Sequence, residues 1–179
     1  MHSSAKELPE ALARLYEELC IPADYAAQCG LPRYEEPSEL SSIGCDIEFR
    51  ERYLAASVAP QWHAMCAAAA AQAVCLQVVS AYRSIDYQAD LFRDKLRRGQ
   101  SIEDILWVNT APGFSEHHSG RALDITTPGY EPLSETFEFS AAFAWLRTHA
   151  QAFGFSMTYP RDNPWGIDYE PWHWCARAD

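Results

Sequence analysis

Four short apolar runs with strand character are the feature of this sequence that most constrains its fold. The helical patterns that separate them differ in number and length, so the chain lacks the regular alternation of strand and helix that builds a doubly wound parallel sheet. We therefore predict an α+β fold. The four runs are CLQVVSAYR (75–83), ALDIT (122–126), FSMTYP (155–160) and IDYEPWHWC (167–175).

Helical periodicity and helix-end signals predict the helices of the chain. Ser84 and Ser101 stand where helix N-caps are expected, and Gly99 and Gly154 stand where helices should end. The predicted helices cover residues 5–19, 61–73, 85–98, 102–109 and 139–153. The tryptophans within helical stretches are predicted to be core residues: Trp62, Trp107 and Trp145.

Length and charge exclude several classes of protein. The 179 residues suffice for one domain with a single core. The formal net charge of −11 argues against a nucleic-acid partner, because a phosphate backbone requires a basic face. No apolar run reaches the roughly 18 residues that a membrane span needs. Acidic residues interrupt the apolar positions at the start of the chain, which is untypical of a secretory signal, so we expect a cytoplasmic protein unless an upstream segment directs its export.

The six cysteines show no C-x-x-C spacing, which leaves a zinc ribbon unsupported. In the cytoplasm their thiols would stay reduced. Cys66 and Cys75 lie in an apolar stretch and are predicted to be small core residues.

The polar segment SEHHSGRALDIT carries His117 and Asp124 on either side of Gly120. A turn at Gly120 that leads into the strand at 122–126 would bring a loop histidine beside a strand carboxylate. Imidazole and carboxylate are donors that zinc binds. Alone the pair is weak evidence, because a histidine that caps a loop is the simpler explanation.

The segment YEPWHW adds Glu170 and His173. Two residues three apart point to opposite faces of an ideal strand, but a turn at Pro171 would let both face one cleft. His173 would then complete a His–Asp–His set around zinc with a fourth position left for water, and Glu170 would take the proton of that water. The alternative is a surface acid and a histidine packed between two tryptophans.

Arg83 lies where an apolar strand ends and a capped helix begins. Its forked and permanently charged guanidinium suits an oxyanion or a terminal carboxylate. An ordinary surface salt bridge is the alternative, since the chain contains 25 acidic residues.

Taken together, SAYRSIDYQ, SEHHSGRALDIT and YEPWHW resemble, in this order, the VanY-type D-alanyl-D-alanine carboxypeptidases. These belong to a wider zinc-peptidase group that includes lysostaphin-type enzymes and the hedgehog signalling domain. The pattern S-x-H-x-x-G-x-A-x-D is met by Ser115, His117, Gly120, Ala122 and Asp124. The resemblance implies a small antiparallel sheet flanked by helices, in agreement with the α+β prediction.

The resemblance also assigns roles to the three motifs. It implies that His117, Asp124 and His173 bind one zinc ion per chain. Glu170 is then the base that activates the zinc-bound water, and Arg83 stabilises the oxyanion of the tetrahedral intermediate.

Other residues receive secondary roles from the resemblance. Gln88 and Ser115 match positions that contact substrate in relatives, whereas His118 matches no ligand position and is expected to play a supporting part. The resemblance covers about residues 60–177. We therefore predict one zinc peptidase domain over residues 1–179, with 60–177 as its catalytic core and 1–59 as a helical N-terminal extension.

The implied activity is removal of the C-terminal D-alanine from peptidoglycan stem peptides or their precursors, as a D,D- or L,D-carboxypeptidase. In the cytoplasm the substrates would be soluble muropeptides or nucleotide-linked precursors. One alternative is an endopeptidase that cuts between L-alanine and D-glutamate, as phage endolysins do, but glutamate at position 170 favours the carboxypeptidases. Another is a non-catalytic zinc-bearing binding module, against which the presence of Glu170 and Arg83 counts.

Overall fold

The computed structural model of residues 8–177 contains six α-helices, six β-strands and three short 3₁₀-helices. The α-helices are α1 (Glu10–Glu18), α2 (Tyr25–Gln28), α3 (Ala59–Ala70), α4 (Ile85–Arg97), α5 (Ile102–Val108) and α6 (Ala141–His149). The strands are β1 (Leu40–Cys45), β2 (Glu51–Ala55), β3 (Gln77–Ser80), β4 (Ala122–Thr126), β5 (Phe155–Met157) and β6 (His173–Ala176). The 3₁₀-helices are Glu116–Ser119, Glu135–Phe139 and Ala150–Phe153.

The described chain divides into two compact units, here named the helical unit and the sheet unit. The helical unit consists of residues 8–36 and 83–118 and contains α1, α2, α4 and α5. The sheet unit consists of residues 37–82 and 119–177 and contains the six strands with α3 and α6. The assignment of 1–59 as an extension of a catalytic core stays a prediction.

The sheet unit is built on a four-stranded antiparallel sheet with the strand order β3–β4–β6–β5. The central strand β4 is buried at all five positions. Leu123 and Ile125 of β4 lie in a core that also takes Trp62 from α3 and Leu146 from α6. The predicted α+β class with a small antiparallel sheet and flanking helices is confirmed.

The helical unit has an apolar core of its own. Leu12 and Tyr16 form the buried face of α1, and they share a cluster with Phe92 of α4 and Ile105 of α5. The Tyr16 hydroxyl donates a hydrogen bond of 2.9 Å to the carbonyl of Pro112, which satisfies its one polar atom inside this core.

Helix ends follow their sequence signals. Ser84 Oγ accepts the backbone N–H of Tyr87 at 3.0 Å, and Ser101 Oγ accepts that of Asp104 at 3.1 Å. Gly99 follows α4 with a φ of +85°, a left-handed conformation that glycine adopts without strain. Each cap satisfies a backbone group that a helix end leaves unpaired.

Some details differ from the sequence predictions. Trp107 is 85% exposed rather than part of the core, whereas Trp62 and Trp145 are buried as predicted. Of the two cysteines predicted for the core, Cys66 is partly buried and packs against it, whereas Cys75 is exposed. Helix α1 begins at residue 10, and residues 5–7 of the predicted helix lie outside the described residues. Between residues 8 and 177 no helix has the length and apolarity that crossing a membrane requires.

The β1–β2 hairpin has no counterpart among the predicted elements. Its turn is organised by the Asp46 side chain instead of by glycine or asparagine. Asp46 Oδ1 accepts the backbone N–H groups of Glu48 at 2.8 Å and Arg50 at 3.0 Å. Asp46 Oδ2 accepts the Nε–H groups of Arg50 at 2.9 Å and Arg52 at 2.8 Å. One buried carboxylate thus closes the turn and pairs with two guanidinium groups.

These hydrogen bonds govern the protonation of Asp46. Burial by itself would raise the pKa of the carboxyl, but the backbone donors and the two arginines outweigh it and hold that pKa well below its usual range. A carboxyl with a lowered folded-state pKa stabilises the fold at pH values above its unfolded-state pKa of about 3.9. That stabilisation is lost as the pH falls through the lower folded-state pKa.

We predict that Asp46→Asn lowers the free energy of unfolding at pH 7 by about 2 kcal/mol, because buried donors lose a charged acceptor. The difference from wild type should shrink below about pH 4, where the carboxyl of unfolded wild type becomes protonated while that of the folded protein is still ionised. Urea denaturation at pH 7 and pH 3 measures both effects. Glu48→Gln is the control, since it removes only an exposed pair with Arg50. A constant difference between the two pH values would contradict the assignment.

Candidate metal centre

Two adjacent strands bring Asp124 and His173 together. They are direct partners in the antiparallel register of β4 and β6. His173 Nδ1 lies 3.0 Å from Asp124 Oδ1, and both side chains are buried. This ring nitrogen faces the carboxylate, so Nδ1 is the histidine donor that a cation between the two residues would meet.

His117 lies in the 3₁₀-helix Glu116–Ser119 and is buried. The chain that leads from it to β4 passes through Gly120, which has a φ of +64°. The carbonyl of Gly120 accepts the N–H of Ala55 at 2.8 Å, and a Cβ on Gly120 would lie 2.8 Å from that same nitrogen. Only glycine allows this close approach, so the contact with Ala55 fixes the backbone at Gly120, where the chain turns into β4.

The structure groups the three predicted ligands. One donor atom from each of His117, Asp124 and His173 lies within 4.8 Å of the other two, and all three residues are buried. Zinc bonds of about 2.0–2.2 Å place tetrahedral donors about 3.4 Å apart, so small shifts would let these atoms meet one ion. Two imidazoles and one carboxylate are a donor set that zinc accepts with one coordination position left for water. The residues present therefore fit a single metal ion.

Glu170 lies beside this group. Its Oε2 is 3.9 Å from Nδ1 of His173. Glu170 precedes β6, so it does not follow the alternation of the strand, as the turn prediction required. Its backbone N–H donates to the carbonyl of Tyr159 at 3.0 Å, and its carbonyl accepts the N–H of His173 at 3.1 Å. These two main-chain hydrogen bonds fix the backbone from which the Glu170 side chain extends.

An aromatic residue that the sequence did not single out contacts the site. The Tyr159 ring packs on the His173 ring, with centroids 4.8 Å apart and planes inclined by 34°. Trp174, which the alternative interpretation placed against this histidine, instead packs edge-on against Phe143, and its Nε1–H donates to the carbonyl of Pro171 at 2.9 Å. The signal that could have revealed Tyr159 is tertiary, because it comes from the loop before β6.

Within the helical unit, Arg83 is fixed by its neighbours. Its N–H donates to the carbonyl of His117 at 3.2 Å, and Nδ1 of His118 lies 2.7 Å from its carbonyl. Its guanidinium donates to Gln88 Oε1 at 2.9 Å. Gln88 is almost fully buried, and its Nε2 donates to the carbonyl of Thr110 at 2.9 Å. The amide therefore holds Arg83, and contact of Gln88 with substrate stays a prediction.

The remaining predicted residues have clear positions. Ser115 is buried, and its carbonyl accepts the N–H of His118 at 3.1 Å. Burial lowers the pKa of His118 to about 4, so its ring is neutral at pH 7 and can donate Nδ1–H to the Arg83 carbonyl. Of the two adjacent histidines, one offers a metal donor and the other holds the backbone of Arg83.

A family model described as VanY, D-alanyl-D-alanine carboxypeptidase, matches residues 51–178. The chain belongs to the VanY family. YodJ of Bacillus subtilis (strain 168) is 33% identical over 156 residues, which cover 82% of this chain and 56% of YodJ. A D-alanyl-D-alanine carboxypeptidase of Enterococcus faecalis (strain ATCC 700802 / V583) is 29% identical over 79% of this chain and 52% of its own length. The chain thus spans about half the length of these curated relatives.

Solved structures agree with this assignment. The structure of the LD-carboxypeptidase LdcB aligns with a TM-score of 0.70 and 31% identity, covering 81% of this chain and 71% of LdcB. The predicted resemblance and the predicted fold are therefore confirmed.

We predict that Gly120→Ala weakens metal binding and destabilises the protein, because the new methyl group must displace the Ala55 backbone. Gly30→Ala is a matched control, since Gly30 has a φ of +67° and open space around its Cβ direction. Backbone strain should lower the free energy of unfolding of each variant by about 1–2 kcal/mol. Gly120→Ala should lose more than this, because its methyl group also meets the Ala55 backbone. Thermal unfolding and zinc titration measure the difference. Equal behaviour of the two variants would show that the Gly120 contact does not shape the site.

Proposed function

We propose that this protein is a zinc-dependent carboxypeptidase that removes the terminal D-alanine from peptidoglycan stem peptides or their precursors. The observation that carries the proposal is the buried His117–Asp124–His173 group with the Glu170 carboxylate 3.9 Å from one of its nitrogens. Membership of the VanY family supports this choice of reaction among those that such a donor set can serve.

His117, Asp124 and His173 are the residues that would hold the metal. When bound, zinc supplies a Lewis acid that polarises the scissile carbonyl and makes a water molecule acidic near neutral pH. The three side chains are buried, which limits the contact of their donor atoms with solvent. A dry site strengthens each electrostatic interaction with the reacting groups.

Glu170 would act as the general base and then as the general acid. Its carboxylate accepts the proton of the attacking water and later returns it to the amine of the departing D-alanine. Proton transfer of this kind typically contributes about 10²–10⁴ to the rate. The half-buried position of Glu170 allows it to meet both the water and the leaving group.

Arg83 would bind the negative charge that develops on the carbonyl oxygen. The Arg83 backbone is bonded to the carbonyl of His117 and to the ring of His118, and its guanidinium is bonded to Gln88. These contacts restrict how the guanidinium can point. A pre-oriented donor stabilises a developing oxyanion without reorganising during the reaction.

The activities of two relatives support this choice of substrate. The Enterococcus faecalis relative is a D-alanyl-D-alanine carboxypeptidase, and LdcB is an LD-carboxypeptidase. Pentapeptide stems end in the first kind of bond and tetrapeptide stems in the second. We propose that one of these is the natural substrate and that the protein meets it in the cytoplasm as a soluble muropeptide or precursor.

We predict that Glu170→Gln keeps about one zinc ion per chain and lowers turnover by about 10²–10⁴-fold, because the amide cannot accept the proton. Elemental analysis measures the metal, and mass spectrometry of digested tetrapeptide and pentapeptide stems measures release of D-alanine. Glu131→Gln, on an exposed glutamate, is the control and should retain activity.

The same digests discriminate between functions. Loss of D-alanine release with a chelator, and its recovery with zinc, is the expected result. Cleavage between L-alanine and D-glutamate would instead show an endopeptidase. One zinc ion per chain without cleavage of any stem would instead indicate a non-catalytic binding module. Release of D-alanine that survives complete removal of the metal would exclude the proposed mechanism.

A further inference from the structure

Glu170 is carried by a loop with little regular structure. Residues 158–172 connect β5 to β6 and form no helix or strand. In contrast, Asp124 and His173 are register partners in the paired strands β4 and β6. Beyond the two main-chain hydrogen bonds of Glu170 itself, the position of the proposed base therefore depends on side-chain contacts that organise this loop.

Asn163 closes the middle of the loop on itself. Its Nδ2 donates to the carbonyls of Pro160 at 3.0 Å and Ile167 at 2.6 Å. Its Oδ1 accepts the backbone N–H groups of Trp165 at 3.2 Å and Ile167 at 3.3 Å. The two arms of the loop are thus held to each other and can be fixed as one body.

Glu138 ties both arms of this loop to a separate element. Its two carboxylate oxygens accept hydrogen bonds from Nη2 of Arg161, at 2.8 and 3.0 Å, on the first arm. It also accepts the hydroxyl proton of Tyr169, at 3.0 Å, on the second arm. The Arg161 guanidinium carbon lies 3.9 Å from the centroid of the Tyr169 ring, so the cation also stacks on the aromatic face. Tyr169 is the immediate neighbour of Glu170.

The element that carries Glu138 is anchored in the core. The preceding residue, Phe137, is buried in the 3₁₀-helix Glu135–Phe139 and packs edge-on against Phe143. Phe143 in turn packs against Trp174, the residue after His173. Packing through Phe137 and Phe143 therefore connects the segment that carries Glu138 to β6, the strand that carries His173.

The contribution of this cluster to stability is expected to be small. Arg161 is 56% exposed, and exposed ion pairs add little to the free energy of unfolding. Glu138 is only 22% exposed and carries hydrogen bonds from two residues, which suits geometric control of the loop better than stabilisation of the fold.

We infer that Glu138 is a positioning residue for Glu170, acting through Tyr169 and Arg161. The inference rests on the proposed carboxypeptidase function. Arg161 also bonds Glu135 at 3.4 Å, so removing the Glu138 charge loosens both arms of the loop without releasing the first, and Glu170 samples positions from which it cannot take the proton. Substrate binding by the rest of the site is unaffected, so kcat falls while KM stays nearly constant. Misplacement of a reacting group by about 1 Å can cost as much as 10²-fold in rate.

The test compares Glu138→Gln, Tyr169→Phe and their combination in the zinc-loaded protein of 179 residues. Glu18→Gln is the matched control, because Glu18 accepts a bidentate pair from Arg93 at 2.7 and 3.0 Å in the helical unit. The readouts are kcat and KM for D-alanine release, zinc per chain, Tm, and amide hydrogen exchange of residues 158–172.

Glu138→Gln should lower kcat about tenfold with KM within twofold of wild type. Zinc content and Tm should match the Glu18→Gln control, and exchange should rise only in residues 158–172. Tyr169→Phe keeps the ring and should give a smaller loss, and the double variant should be no slower than Glu138→Gln because both act through one carboxylate.

Unchanged kcat and unchanged exchange in Glu138→Gln would overturn the inference. So would a loss of kcat that accompanies loss of zinc or a lower Tm. If wild type releases no D-alanine, the proposed function fails, and faster exchange of residues 158–172 in Glu138→Gln then still supports the bracing while unchanged exchange removes it.

Discussion

The register of β4 against β6 is the constraint on which the rest of the site depends. It places Asp124 directly opposite His173, so that a buried carboxylate and a buried imidazole meet at 3.0 Å. Successive side chains point to opposite faces of a strand, and Leu123 and Ile125, on either side of Asp124, are both fully buried. A slip of one residue would exchange the carboxylate with these apolar side chains. The packing of the core therefore fixes the geometry of the candidate ligands.

Local signals in the sequence were sufficient for the elements that depend on local chemistry. The serine caps and the glycine stops placed α4 and α5 closely, and the strand at 122–126 was predicted with its observed bounds. Trp107 shows the limit of a helical assignment, because Ile105 is buried and a residue two positions later lies on the other side of the helix. The helix was correct, but its inward face was not identified.

The parts that the sequence did not reveal depend on contacts between distant residues. The β1–β2 hairpin lacks a turn dipeptide with glycine or asparagine, and its turn is made by Asp46 and two arginines instead. In the same way, the motifs named the donor types of the site, but 49 residues separate Asp124 from His173 and only the strand register joins them. Tyr159 and Glu138 have no motif at all, because their roles exist only once the loop before β6 has folded.

The site thus combines two kinds of structural support. Asp124 and His173 are held by paired strands and a buried core, where displacement would break ladder hydrogen bonds and expose apolar surface. Glu170 is held by two main-chain hydrogen bonds of its own and by side-chain hydrogen bonds in an irregular loop, where each contact is weak and several must act together. The donors on β4 and β6 therefore depend on the packing of the core, whereas the proposed base depends on the contacts that brace its loop.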